Sequence, residues 1–165
     1  MKLMQTLKHL FTPAWMRGRA FSAETLSAIE VALGESEKWH RGEIRVVVEG
    51  SLGLVELWRY SSARARAEEL FSRLRVWDTE ENNGVLIYIQ WLDHKVEVIA
   101  DRGLATRVPQ AEWDQLCHRM EYAFSEGDYR GGAVMAAREL GLILAAHFPA
   151  PGINPATLQD RPILL

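Results

Sequence analysis

The sequence predicts an α/β fold, a three-layer α/β/α sandwich built on a small mixed β-sheet. Three observations lead there. Glu43 to Glu49 is a short run with a β-branched, apolar centre, the pattern of a strand buried on both faces. Val85 to Gln90 and Lys95 to Ala100 are strand-like runs separated only by a tight turn, so they must pair antiparallel. A helical pattern lies between the first and second strands, which makes a βαβ unit with those two strands parallel.

The chain has 165 residues, the length of about one domain. It is 48% hydrophobic and 25% charged, ordinary globular usage that excludes a disordered or low-complexity chain. The formal net charge of -3 supplies no basic stripe, so nucleic acid is not expected as a partner. A single cysteine, Cys117, cannot form an internal disulfide. No segment approaches the ~20 apolar residues of a transmembrane helix, and the N-terminus does not read as a signal peptide. A cytoplasmic location is the expectation. Three stretches follow: an N-terminal helix and linker over 1–21, an α/β domain over 22–148 and a proline-rich tail over 149–165.

Residues 2–11 carry Leu3, Leu7, Leu10 and Phe11 at helical spacing, flanked by Lys2 and Lys8. Such a basic amphipathic stretch can lie on a membrane surface or a partner, or fold onto its own domain. Its shortness favours the last. Ser22 caps the next helix, which runs to about Trp39, with Phe21 stapled onto Leu26. His40, Arg41 and Gly42 turn the chain into the first strand. Residues 50–60 form a connection whose structure the pattern leaves open. Ser61 or Ser62 caps the crossover helix, which runs to about Arg75 and carries the i,i+4 pairs Arg64/Glu68 and Glu69/Arg73. Asp78 to Gly84 is a polar turn before the second strand. Pro109 opens a helix to Phe124, Gly127 suits its C-terminal cap, and a largely buried helix follows over about Arg130 to His147. The tail is expected to run extended along the surface.

Strand direction has a chemical consequence. The two parallel strands start at one end of the sheet, and the third strand finishes there. His40 and Glu43, the Asp78 to Asn83 turn, and Asp101 with Arg102 should therefore meet. Asp78, Glu80, Glu81, Asn82, Asn83 and Asp101 are oxygen donors of the kind that hold calcium or magnesium, with Asp78, Glu81, Asn83 and Asp101 as the expected ligands, although the EF-hand spacing is absent. The same residues also suit turns and caps, with Asp101 salt-bridged to a nearby arginine. No esterase elbow, phosphate-binding loop or His-Glu-x-x-His is present. His9, His94, His118 and His147 are scattered. Cys117 lies on an apolar helix face, as a buried thiol does, and Trp77 stands where it could wall the cluster.

Arg64-Ala-Arg-Ala-Glu-Glu-Leu-Phe71, Arg75-Val-Trp-Asp-Thr-Glu-Glu-Asn-Asn-Gly-Val-Leu-Ile-Tyr88 and Val96-Glu-Val-Ile-Ala-Asp-Arg-Gly-Leu104 together resemble the TPM domain. Gly127-Asp-Tyr-Arg-Gly-Gly132 is similar to that family's later glycine-containing turn. His40-Arg-Gly-Glu-Ile44, His147-Phe-Pro149 and Asp160-Arg-Pro-Ile-Leu-Leu165 look like a short bacterial subgroup. The resemblance implies an α/β/α sandwich and divalent-cation binding by acidic loop residues. It also implies a proposed acid phosphatase activity in some members, with no agreed mechanism. Asp101-Arg102-Gly103 stands where many members have a glycine-rich turn.

Two functions follow as expectations. The first is a cation- or ligand-binding module, using calcium or magnesium and no organic cofactor, that acts on a protein partner or small ligand. Residues 2–11 would supply any peripheral membrane contact. The second is a metal-assisted phosphatase acting on phosphate esters. There Asp78 or Asp101 would hold the cation, Arg64 or Arg102 would clamp the phosphate, and His40 would donate a proton.

Overall fold

A computed structural model describes residues 9, 11–12, 15–60, 62–152 and 161–165. The described elements run α1 (Trp15–Ala20), α2 (Ala23–Glu37), β1 (Glu43–Glu49), α3 (Leu54–Arg59), α4 (Ala63–Arg73), β2 (Gly84–Gln90), β3 (Lys95–Ala100), α5 (Arg102–Ala105), α6 (Gln110–Ser125), α7 (Tyr129–His147) and β4 (Ile163–Leu164). The sheet order is β3-β2-β1-β4. β1 lies parallel to β2 with Glu43 opposite Gly84, and β2 lies antiparallel to β3 with Val85 opposite Ala100.

Period-2 alternation divides the sheet's side chains between two cores. Ile44, Val46, Val48, Val85, Ile87, Ile89, Val96 and Val98 pack with α2, α6 and α7. Val47, Leu86, Tyr88 and Ile99 pack with Ala67 and Leu70 of α4. The result is the expected α/β/α sandwich. Local signals place the helix starts: Ser22 Oγ accepts from the Thr25 amide at 3.2 Å and Ser62 Oγ from the Ala65 amide at 3.2 Å. Gly127 ends α6 at φ +83°.

The tail departs from expectation at its end. Ile163 and Leu164 join the sheet as a parallel strand beside Val47 and Val48 of β1, and the Leu165 amide donates to the Val48 carbonyl at 2.9 Å. Two apolar residues behind Pro162 are too short a run to announce a strand. The amphipathic stretch 2–11 lies outside the described residues except at His9 and Phe11. The His9 ring is buried. Its Nδ1 accepts from the Leu52 amide at 2.9 Å and its Nε2 lies 3.0 Å from Asp93 Oδ2. At His9 the chain is therefore held against its own domain. No helix among the described residues is long and apolar enough to cross a membrane.

A buried polar network joins α4 to the sheet. Arg66 grips Glu49 through Nε at 3.0 Å and Nη2 at 2.5 Å, and its Nη1 reaches Glu69 at 2.7 Å. The Tyr88 hydroxyl donates to Glu49 Oε2 at 2.6 Å. Burial holds the Tyr88 hydroxyl neutral, far above the usual range, and the Glu49 charge adds to this. Removing one partner strands the other in a dry layer. Glu49→Ala should therefore lower stability by about 3–5 kcal/mol, read from urea denaturation. A loss below about 1 kcal/mol, the worth of an exposed pair, would show that Arg66 finds water instead.

Candidate functional site

The predicted convergence is present in part, at the edge where β1 and β2 begin and β3 ends. The Asn82-Asn83 pair is its knot. Asn83 is buried at 2% exposure. Its side-chain amide donates to the Arg41 carbonyl at 3.2 Å, and its own carbonyl accepts from the Glu43 amide at 3.4 Å. On the other side, the Asn82 carbonyl accepts from the Gly103 amide at 2.9 Å, and Asn82 Oδ1 accepts from Arg102 Nε at 3.1 Å. Asn82 sits at φ +51°, a left-handed conformation that asparagine tolerates better than most residues. Gly103 is required by space: a Cβ there would lie 2.4 Å from the Asn82 carbonyl oxygen and 2.6 Å from that of Glu81. An ion pair, Arg41 Nη1 to Glu81 Oε1 at 3.2 Å, closes the rim.

Glu81, Asn83, Asp101 and Arg102 thus meet as the strand directions require. Arg41 and Asn82 join them. Arg41 read as a plain turn residue in the sequence, and Asn82 as one donor among several. Their linking roles appear only once the three stretches are packed together.

The remaining candidates lie elsewhere. Asp78 is exposed and pairs with Arg75 Nη2 at 3.2 Å within its own turn. Trp77 follows the α4 side, with its indole Nε1 donating to the Ser72 carbonyl at 3.3 Å and Arg75 over its ring. Arg64 is committed to β3: Nη1 donates to the Val98 carbonyl at 3.1 Å and lies 3.6 Å from Glu97. Val98 precedes Asp101 by three residues, about 10 Å along a strand. His40 is fully buried, with Nδ1 on the Gly42 carbonyl at 3.0 Å and Nε2 3.4 Å from Ser36 Oγ. Burial lowers its pKa to about 4, against a smaller upward pull from the Gly42 carbonyl. At neutral pH it is an uncharged packing group and no proton donor. Cys117 is likewise quiet, since burial pushes its thiol up to about 12.

The donor set can be tested against a divalent cation. Asp101 caps α5, with Oδ1 accepting from the Arg102 amide at 2.7 Å. Its other oxygen, Oδ2, is shielded from solvent and receives no hydrogen bond from the described residues. Among the described residues, no arginine makes the expected ion pair there. Asp101 Oδ2, the Glu81 carbonyl beside Gly103 and the Glu81 carboxylate are hard oxygen donors, the right class for calcium or magnesium. Among the described residues no three Asp, Glu, His or Cys side chains gather as a metal cage.

A protein-family comparison then decides the kinship: the TPM domain model matches residues 17–142. The chain belongs to the TPM domain family. Among solved structures, the NMR structure of BA42 from the psychrophilic bacterium Bizionia argentinensis is similar at a TM-score of 0.75 and 28% identity, over 87% of this chain and 94% of that one. No curated protein matches. The shared fold accounts for the sheet and the flanking helices.

Two outcomes follow from this geometry. Asn83→Ala removes a buried donor and leaves the Arg41 carbonyl unmet, so unfolding free energy should fall by about 1–3 kcal/mol, read from urea midpoints. His40 gives a pH effect of defined sign. The unfolded chain takes up its proton near the ordinary histidine value, whereas the folded protein does so only near 4. Acid therefore favours unfolding, and stability held above the ordinary value is lost as pH falls toward 4. The wild type should lose on the order of 3 kcal/mol more than His40→Gln over that interval. Parallel stability–pH curves would remove His40 from the account.

Proposed function

We propose that this TPM domain is a binding module whose site is the edge formed by Arg41, Glu81 to Asn83 and Asp101 to Gly103. Its ligand is a divalent cation, calcium or magnesium. Asp101 Oδ2 is the anchoring oxygen, Glu81 supplies the neighbouring donors, and water completes the shell. The observation that carries this reading is the solvent-shielded Asp101 Oδ2, without a hydrogen-bond donor among the described residues, at the point where the three stretches meet. A buried carboxylate oxygen without a donor is costly to keep, and a cation relieves that cost. Binding would also compete with Arg41 for Glu81 and so change the charge at the rim. The loaded edge would then meet a protein partner or small ligand.

The phosphatase alternative is not better supported. Its proposed acid, His40, is buried and uncharged, and its proposed clamp, Arg64, is held on β3. Asp78 is left out of the proposed site because it is exposed and pairs with Arg75 within its own turn.

The test is a titration with calcium and then magnesium chloride, followed by amide NMR. Residues 81–83 and 101–103 should shift together and saturate by about 10 mM cation. Asp101→Asn should weaken that response at least about tenfold while the rest of the spectrum stays in place. Unmoved amides at this edge would sink the cation reading, as would an equal response from Asp101→Asn.

A further inference from the structure

The sheet has one long open side, the outer edge of β3. The antiparallel register with β2 sets which backbone groups face it. The Asp101 amide donates inward to the Gly84 carbonyl at 2.9 Å. Counting back by twos, Lys95, Glu97 and Ile99 also turn their backbone groups toward β2, while Val96, Val98 and Ala100 turn theirs outward. An unpaired strand edge of this kind is a template for another strand.

Side chains from both helical layers sit on those outward groups. From the layer of α6, Glu121 Oε1 accepts from the Val96 amide at 3.1 Å. The Cys117 thiol of the same helix bonds the Val98 backbone. From the opposite layer, Arg64 of α4 reaches round the sheet and its Nη1 donates to the Val98 carbonyl at 3.1 Å. Arg64 is steadied by Glu68 at 3.1 Å and Glu97 at 3.6 Å, and Glu121 by Lys95 at 3.7 Å. These charged groups occupy the Val96 amide and the Val98 carbonyl without offering a new strand edge.

We propose that Arg64 and Glu121 are edge guards: by capping the Val98 carbonyl and the Val96 amide, they keep β3 from pairing with β3 of a second copy of this chain. The register identifies the pairing that is blocked. In a two-fold antiparallel pairing centred on Glu97, Val96 of one copy faces Val98 of the other. The bonds so formed would run from the Val96 amide to the Val98 carbonyl and from the Val98 amide to the Val96 carbonyl; Glu121 and Arg64 already cap the first two of those groups. The arrangement also gives Arg64 its place, on the strand edge and away from the polar cluster at the end of the sheet.

The experiment has two readouts on the intact chain. Amide hydrogen exchange by NMR should show Val96 protected in the wild type. In Glu121→Ala the Val96 amide should exchange at least about tenfold faster, with Glu97 and Ile99, bonded to β2, unchanged. Glu121→Gln keeps an accepting oxygen and should restore protection. Sedimentation over a concentration series should show Arg64→Ala/Glu121→Ala self-associating at least about tenfold more strongly than the wild type. Arg64→Ala alters a half-exposed side chain and keeps the test open if Glu121→Ala does not fold; it alone should raise association. Overturning results are a Val96 amide unaffected by Glu121→Ala, or folded variants that associate no more than the wild type.

Discussion

Asn82 and Asn83 hold the molecule's polar end together. One chain segment, two residues long, makes hydrogen bonds to the turn before β1 and to the exit of β3, and it also opens β2. The demand comes from the backbone: strands that begin and end at one edge leave amides and carbonyls that water cannot reach once the helices pack. Asparagine meets it with a donor and an acceptor on a short side chain. Asn82 also takes the positive φ that lets both neighbours be reached. Gly84, next in the chain, has its own constraint, because a Cβ there would lie 1.9 Å from the Val76 carbonyl oxygen. The end of α4, the turn and the start of β2 are therefore pressed together, and Asp101 is held against them by its bond to Gly84.

This constraint explains why the site is an edge and not a cleft. Charges at the rim are answered locally, Glu81 by Arg41 and Asp78 by Arg75, and Asp101 spends one oxygen on its own helix. The other end of the sheet is closed differently. There the Gln90 side chain donates to the Gly50 carbonyl at 2.6 Å and accepts from the Asp93 amide at 2.8 Å, and His9 joins Asp93 to the Leu52 amide. Ligands of open α/β sheets commonly sit at the carboxyl ends of the parallel strands. In this chain that end is packed by its own residues, which leaves the amino end as the polar surface.

Much of this was legible from residue order because it depends on direction. The β-branched run at Glu43 to Glu49, the short gap between β2 and β3 and the long crossover fix which strand ends coincide, so the meeting of Glu81, Asn83 and Asp101 could be anticipated. Caps such as Ser22 and Gly127 are local and were equally readable. What escaped is what depends on layer packing. Glu49 and Arg66 are 17 residues apart and look like ordinary charges until α4 is laid on the sheet. Arg64 looked like a phosphate clamp because charge alone does not say which strand a helical arginine crosses. His40 looked like an acid because its burial depends on distant packing, with Ser36 of α2 and the bridge to Pro149 beside it. The strand at Ile163 and Leu164 carries too few residues for any periodicity.

The most direct measurement of the central claim is hydrogen-bond scalar coupling by NMR at the Asn82-Asn83 knot. The account predicts couplings from the Gly103 amide to the Asn82 carbonyl and from the Asn83 side-chain amide to the Arg41 carbonyl. Both should be present without added ligand. Their absence, in a spectrum where β2 and β3 show their ladder couplings, would mean that the three stretches do not meet, and the proposed site would go with them.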